Sequence, residues 1–255
     1  MSTEIVRPRS REFVQALAAE LSKLGSLPAI WLTLGVSLIL NLVLAAAFAS
    51  AGLQGSTGTP NVLDIGLASI SYIQAGYIIL GIVASCSEYT GGQIHTTLTA
   101  MPRRSLQLVA AHLALTIIVV PAAIITAASS VLLAAITLGD VPSASLDLGS
   151  TIGVLAGVTV HLGLMTLLSA SLGVLLRRTL PAAIVVLGYT FIAGPLLREQ
   201  TTQAKYLPDT AGLAMWFPQP GDASALPPAQ GAIVLVAWTF AAFVVALAVY
   251  RKRDM

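Results

Sequence analysis

The residues of this chain that could do chemistry are concentrated in one polar segment, residues 88–104 (EYTGGQIHTTLTAMPRR), between two long apolar stretches. Its paired glycines permit a sharp turn, because glycine adopts backbone angles closed to other residues. Residues 93–100 can then form about two helical turns with Ile94 and Leu98 on one face. Pro102 ends that helix, because the residue before a proline avoids the helical conformation. The pattern predicts a short helix on the protein surface that could contact a soluble partner.

A tight, solvated turn between two helices is the alternative for the same segment. Such a turn needs only a few residues, whereas this segment is longer and contains both a glycine hinge and a proline stop. The length therefore favours a docking role. Glu88 alone is less informative, because it could pair with Arg103 or Arg104 or could interact with a helix end.

Sequence patterns typical of several enzyme classes are absent. There is no GxxxxGK[ST] phosphate loop, so we expect no ATP to be bound by that mechanism. There is also no HExxH pair and no GxSxG nucleophile elbow. The histidines at positions 95, 112 and 161 lack metal-ligand spacing, so we expect no metal site and no bound cofactor.

The composition is that of a membrane protein. The chain is 56% hydrophobic and only 9% charged, whereas a soluble domain is about 25% charged. A spanning helix needs about 20 mostly apolar residues. Six segments meet this requirement, and we predict an all-α integral membrane protein with a single transmembrane domain. The predicted spans are residues 30–48, 66–85, 112–138, 152–176, 180–197 and 231–250.

The positive charges predict the topology. All Lys and Arg residues except Arg198 and Lys205 fall in four clusters, which are Arg7/Arg9/Arg11/Lys23, Arg103/Arg104, Arg177/Arg178 and Arg251/Lys252/Arg253. The basic clusters alternate along the chain with connections that are rich in Asp or free of Lys and Arg. This alternation indicates that both termini are cytoplasmic. The net charge of +2 then reflects anchoring at the membrane surface rather than nucleic-acid binding. The excess of Arg over Lys and the heavy use of Ala, Leu and Val favour a bacterial source, so we expect the bacterial plasma membrane.

Residues 12–24 are predicted to form an amphipathic helix. Six apolar residues share one arc of its helical wheel, namely Phe13, Val14, Leu17, Ala18, Leu21 and Leu24. Gly25 and Pro28 are typical of a helix end. A helix of this kind next to a basic flank is expected in the inner membrane interface. Packing against another part of the protein is the alternative.

The connection 198–230 is predicted on the outer side. Its apolar stretch, residues 211–217, contains Trp216. A re-entrant or interfacial piece and an ordinary outer loop with a tryptophan anchor are both compatible with this pattern.

Several polar residues lie inside the predicted spans. Asn41, Gln74, His112 and His161 are candidates for substrate contact, although such groups more often form hydrogen bonds between helices. Residues 153–157 form a GxxxG pattern, which permits close helix approach. No carboxylate lies near a span centre, which argues against ion-coupled transport.

Between the second and third predicted spans, the order of Glu, Gly, a short Ile/Thr/Leu helix, Pro and Arg resembles the type-2 permeases of ATP-binding-cassette exporters. The interfacial helix, the six spans and the longer outer connection before the last span are also similar to that family. In the family, the short helix docks into a groove of a separate ATPase subunit and transmits its closure to the spans. The matching residues here are Glu88, Gly91, Gly92, Ile94, Thr97, Leu98, Pro102 and Arg103.

The resemblance implies a complex of two permeases, expected to be a homodimer, with two ATPase subunits that bind ATP and Mg²⁺. This chain would then be a transport subunit without an ATPase site of its own. The second span lines the central path in that family, which makes Tyr72, Gln74 and Tyr77, together with Asn41, candidate path residues. Spans with few charges suit a hydrophobic or amphipathic cargo. The alternative is an ATP-independent carrier or channel. A membrane enzyme would need a catalytic group, and a sensor subunit would need an outer domain, that the sequence lacks.

Overall fold

In a computed structural model, the described residues are 9–55, 62–87, 104–138, 148–217 and 226–252. These residues contain no strand, and six of their helices are long and apolar enough to cross a membrane. We call these helices the first to sixth spans. Their bounds are Pro28–Gly52, Val62–Cys86, Ser105–Leu138, Gly149–Leu176, Thr179–Gln200 and Pro228–Lys252. The prediction of an all-α membrane protein is confirmed.

Each predicted span lies within one observed span, but two of the helices are interrupted. The second span consists of Val62–Leu67 and Ile70–Cys86, separated by a turn at residues 68–69. The fifth begins as Thr179–Gly188, passes through a π-helical turn at Tyr189–Ala193 and ends as Gly194–Gln200. π turns are rare and often lie near functional positions.

Most of the remaining spans belong to helices that extend beyond the apolar segment. The first belongs to the helix Pro28–Gly55, and the third belongs to Arg104–Leu138. The fourth belongs to Leu148–Leu176, and the sixth is the helix Pro228–Lys252. Hydropathy detects only the apolar part of a helix, so the polar turn at Arg104–Gln107 was not included in the predicted third span.

We call one end of the bundle the basic end, because charged helix termini gather there. At this end the second span finishes, the third begins and Arg177 and Arg178 join the fourth span to the fifth. Arg251 and Lys252 end the sixth span on the same side. We call the opposite end the distal end.

The second span lies at the centre of the bundle. Its most apolar window is 61% buried, whereas the corresponding fraction is 17% for the sixth span and 22% for the first and fifth. It packs mainly against the fourth span and also against the first. Its large side chains Ile70, Ile73, Tyr77 and Ile78 are fully buried. The outer faces of the other spans are therefore left for lipid.

Small residues allow the second and fourth spans to approach closely. A side chain on Gly81 would overlap the carbonyl oxygen of Thr166 and the hydroxyl of Ser169. A side chain on Gly173 would overlap the hydroxyl of Ser85. Because lipid tails are as apolar as leucine, spans associate through such close van der Waals packing and through hydrogen bonds.

The predicted amphipathic helix is present as Arg9–Ser26 and packs against the start of the third span. Its buried face contains Ala16, Glu20 and Leu24, whereas Val14 is 62% exposed. The buried face is thus rotated from the predicted apolar arc and includes a carboxylate. This packing against the protein was the alternative considered for the helix.

We predict that Gly81→Ala destabilises the protein by about 1–3 kcal/mol, because the added methyl group would press on the backbone of the fourth span. Gly163→Ala is the matched control, since a side chain on Gly163 of the fourth span meets nothing within 4 Å. Thermal unfolding in detergent compares the two variants. Equal unfolding temperatures would contradict the close packing at Gly81.

Candidate functional site

The eight residues predicted to dock an ATPase subunit, Glu88, Gly91, Gly92, Ile94, Thr97, Leu98, Pro102 and Arg103, lie outside the described residues. The structure does describe both attachment points of their segment. The second span ends at Cys86, followed by Ser87, and the next helix begins at Arg104. The segment is therefore attached directly to the most buried span of the bundle.

Two of the four predicted path residues join a buried hydrogen-bond network between the first three spans. The Asn41 side-chain amide donates to the carbonyl oxygen of Thr126 at 3.0 Å, and the Ser69 hydroxyl donates to Asn41 Oδ1 at 2.8 Å. The Tyr77 hydroxyl lies 2.9 Å from Thr126 Oγ1. These side chains hold spans together where the structure describes them.

Gln74 links the second span to the fourth. Its Nε2 donates to the carbonyl oxygen of Ser71 at 2.8 Å, so its Oε1 faces His161 Nε2, 3.1 Å away. Both side chains are buried, and His161 is fully so. The sequence had identified both residues as polar groups within spans, but not their pairing.

Tyr72 differs from the other predicted path residues. It is 54% exposed and stacks on Phe48 of the first span with ring centroids 6.0 Å apart. It therefore faces the surface of this chain. The assignment of the four residues to a substrate path stays a prediction.

A cavity of about 40 Å³, lined mainly by apolar side chains with a few polar groups, lies at the basic end, between the N-terminal helix and four spans. Glu20 lines it and pairs with Lys23 at 3.1 Å. On the third span, His112 Nδ1 lies 3.0 Å from the carbonyl oxygen of Leu108, and Nε2 lies 3.1 Å from Ser171 Oγ of the fourth span. A cavity of this size can hold water molecules but no organic ligand.

Residues 208–217, which we call the distal segment, enter the bundle at the distal end. The short helix Pro208–Leu213 packs against the sixth span, and a side chain on Gly231 there would overlap the carbonyl oxygen of Ala211. A side chain on Gly157 of the fourth span would approach Met215 within 2.5 Å. Of the two glycines of the GxxxG pattern, Gly157 therefore contacts this segment, whereas a side chain on Gly153 would meet nothing within 4 Å.

The distal segment reaches well into the bundle. Gly212 lies directly against the imidazole of His161. His161 follows Leu148, the first residue of its helix, by 13 positions, or roughly 20 Å at a rise of 1.5 Å per residue. This depth favours the re-entrant alternative over a loop that lies across the end of the bundle.

A buried carboxylate anchors the distal segment to the fifth span. Asp209 is 2% exposed, and it accepts hydrogen bonds from the Tyr189 hydroxyl at 2.8 Å and from Arg198 Nη2 at 3.2 Å. Gly194 allows this approach, since a side chain there would overlap the carboxylate. We call Tyr189, Arg198 and Asp209 the distal clamp. On the sixth span, Trp238 donates a hydrogen bond to the carbonyl oxygen of Tyr206 at 2.9 Å, which anchors the chain just before the distal segment.

Neither the distal clamp nor the burial of Glu20 was predicted from the sequence. Arg198 and Asp209 both lie in the predicted outer connection 198–230, but no rule of spacing pairs residues across an irregular loop. For Glu20 the available signal was its position four residues after Ala16 and four before Leu24, on the face that proved to be buried.

The described residues contain no group of three or more His, Cys, Asp or Glu side chains that could hold a metal ion. No protein-family model matches this chain, and no curated protein matches its sequence. The functional assignment therefore depends on the residues and the packing of this chain itself.

We predict that Asn41→Leu lowers the unfolding temperature in detergent, because it removes hydrogen bonds between spans that are each worth about 0.6 to 1.7 kcal/mol. Tyr72→Phe is the control, because Tyr72 is exposed and the change removes only a hydroxyl. A substrate contact without a structural role would leave stability unchanged. An Asn41→Leu protein as stable as Tyr72→Phe would therefore contradict the packing role of Asn41.

Proposed function

We propose that this chain is the membrane-spanning permease subunit of an ATP-driven exporter of the ATP-binding-cassette type, which works with a separate ATPase subunit. The observation that carries the proposal is the position of the polar segment 88–104. It begins just after the second span, which is the most buried helix of the bundle. A force on this segment would act on the helix around which the described spans pack.

The packing of the second span supports a mechanical role. Gly81 and Gly173 bring its backbone close to that of the fourth span, and Gln74 adds a hydrogen bond to His161. Two helices in such contact move together rather than slide, because packed helices are not continuously deformable. Closure of the ATPase subunits around ATP would push on Ile94 and Leu98 and so tilt the second span together with its neighbour.

The proposed assembly has two copies of this chain and two ATPase subunits in a bacterial plasma membrane, with the basic end and both termini facing the cytoplasm. ATP and Mg²⁺ would be bound by the ATPase subunits, because this sequence has no phosphate loop. The chain itself would be no enzyme. Its cargo would be hydrophobic or amphipathic, because only 9% of its residues are charged and the described span centres are apolar.

Co-purification tests the proposed partner. The chain is expressed with an affinity tag beside an untagged candidate ATPase of the ATP-binding-cassette type, and both proteins are quantified after detergent purification. We expect equal amounts of the two proteins. Gly92→Asp and Leu98→Asp should each remove the ATPase, because a charge in the docking segment would be buried in the ATPase groove without a partner.

Thr202→Asp is the matched control, since Thr202 is exposed at the distal end and should not affect recovery of the ATPase. Purification of this chain alone under all nucleotide conditions would contradict the proposal and favour an ATP-independent carrier or channel. Recovery that is unaffected by either aspartate would contradict the docking segment.

A further inference from the structure

Buried polar atoms without hydrogen-bond partners gather at the distal segment. Within the described part of the chain, His161 Nδ1, Thr210 Oγ1 and Trp216 Nε1 are buried and have no partner. Buried polar atoms in proteins are nearly always hydrogen-bonded, and each unsatisfied one costs about 1–3 kcal/mol. Two of these atoms, His161 Nδ1 and Trp216 Nε1, belong to rings whose centroids lie 6.2 Å apart, so one molecule placed between them could satisfy both.

The chemistry of His161 follows from its neighbour. Gln74 donates to the backbone of Ser71, so it presents its oxygen to His161 Nε2. An amide oxygen only accepts hydrogen bonds, so Nε2 carries the imidazole proton in this pair. The other ring nitrogen, Nδ1, is then a bare acceptor held in a fixed direction. It would receive a hydrogen bond from an O–H or N–H group.

Trp216 supplies the complementary group. Its indole N–H can only donate, it is buried, and its ring lies 6.2 Å from that of His161 at an angle of 49°. An acceptor and a donor thus lie side by side. A hydroxyl or an amide can satisfy both, whereas a carboxylate can only accept and an ammonium group can only donate.

Buried apolar side chains share a core cluster with Trp216. They include Leu162, Met215 and Leu235, and a side chain on Gly212 would meet both His161 and Leu235. Pockets for small molecules combine such an apolar lining with a few polar groups that fix orientation. The surroundings therefore suit a neutral amphipathic molecule rather than an ion.

We infer that His161 and Trp216 form a binding site for a neutral molecule that carries a hydroxyl or an amide group on an apolar body. Gly212 covers His161 Nδ1 in this structure, so the molecule enters when the distal segment moves away from the fourth span. The distal clamp of Asp209, Arg198 and Tyr189 opposes that movement. The site requires no ATPase subunit, so it stands independently of the proposed transport function.

Fluorine NMR of the purified chain in lipid nanodiscs tests the site. The sequence has three tryptophans, so labelling with 5-fluorotryptophan gives three signals, and Trp216→Phe assigns the signal of Trp216. The probe is 1-octanol, and octyl methyl ether is the matched compound that accepts hydrogen bonds but cannot donate one to His161. We expect 1-octanol to shift the Trp216 signal saturably and the ether to bind at least tenfold more weakly.

Substitutions separate a specific site from partition into lipid. His161→Phe keeps an aromatic ring and should abolish the saturable shift, and unchanged signals from Trp31 and Trp238 would verify the fold. Asp209→Asn releases the distal clamp and should tighten the apparent affinity for 1-octanol about tenfold. Glu199→Gln, at an exposed neighbouring acid, should leave it unchanged.

Three results would overturn the inference. The first is an equal response of Trp216 to both compounds, which would indicate non-specific partition. The second is a saturable shift that persists in a folded His161→Phe protein. The third is the absence of a saturable shift in both the wild type and Asp209→Asn. This third result can be read even if His161→Phe fails to fold.

Discussion

The backbones of the second and fourth spans lie in close contact, and the other described spans pack around this pair. In a membrane, helices gain little from burying apolar surface against one another, so their association requires tight packing and hydrogen bonds. Gly81 and Gly173 remove the side chains that would separate the two backbones. The same contact aligns Gln74 with His161 and fixes the direction in which the basic end of the second span points. Without this contact between the second and fourth spans, the bundle would lose the Gln74–His161 pair and the fixed direction of the second span.

Stability is distributed unevenly along the bundle. In the middle, Asn41, Ser69, Thr126 and Tyr77 satisfy one another across three spans, and the second span is buried on most sides. At the distal end, the segment 208–217 is anchored by a buried carboxylate but leaves several polar atoms without partners. Elements that move in function are drawn from the less stable parts of a protein. The arrangement suits a rigid pair of spans beneath a distal segment that can move.

The features that could be predicted from the sequence depend on hydropathy and periodicity along short stretches of the chain. Six spans follow from apolar length, and the N-terminal helix follows from its periodicity and its stop signals. The turn at residues 68–69 and the π turn at Tyr189–Ala193 were not predicted, because neither interrupts the apolar pattern. The pairs Gln74–His161 and Arg198–Asp209 depend on tertiary packing, so spacing along the chain could not reveal them. The docking segment falls outside the described residues, and its role is still a prediction.

Native mass spectrometry tests the proposed subunit composition most directly, with this chain co-expressed with a candidate ATPase of the ATP-binding-cassette type and released from detergent in the presence of ATP and Mg²⁺. We expect one dominant species with the mass of two copies of this chain and two copies of the ATPase, and its dissociation should release ATPase subunits first. A dominant species that contains only this chain, with no ATPase-bound form at any nucleotide concentration, would contradict the account.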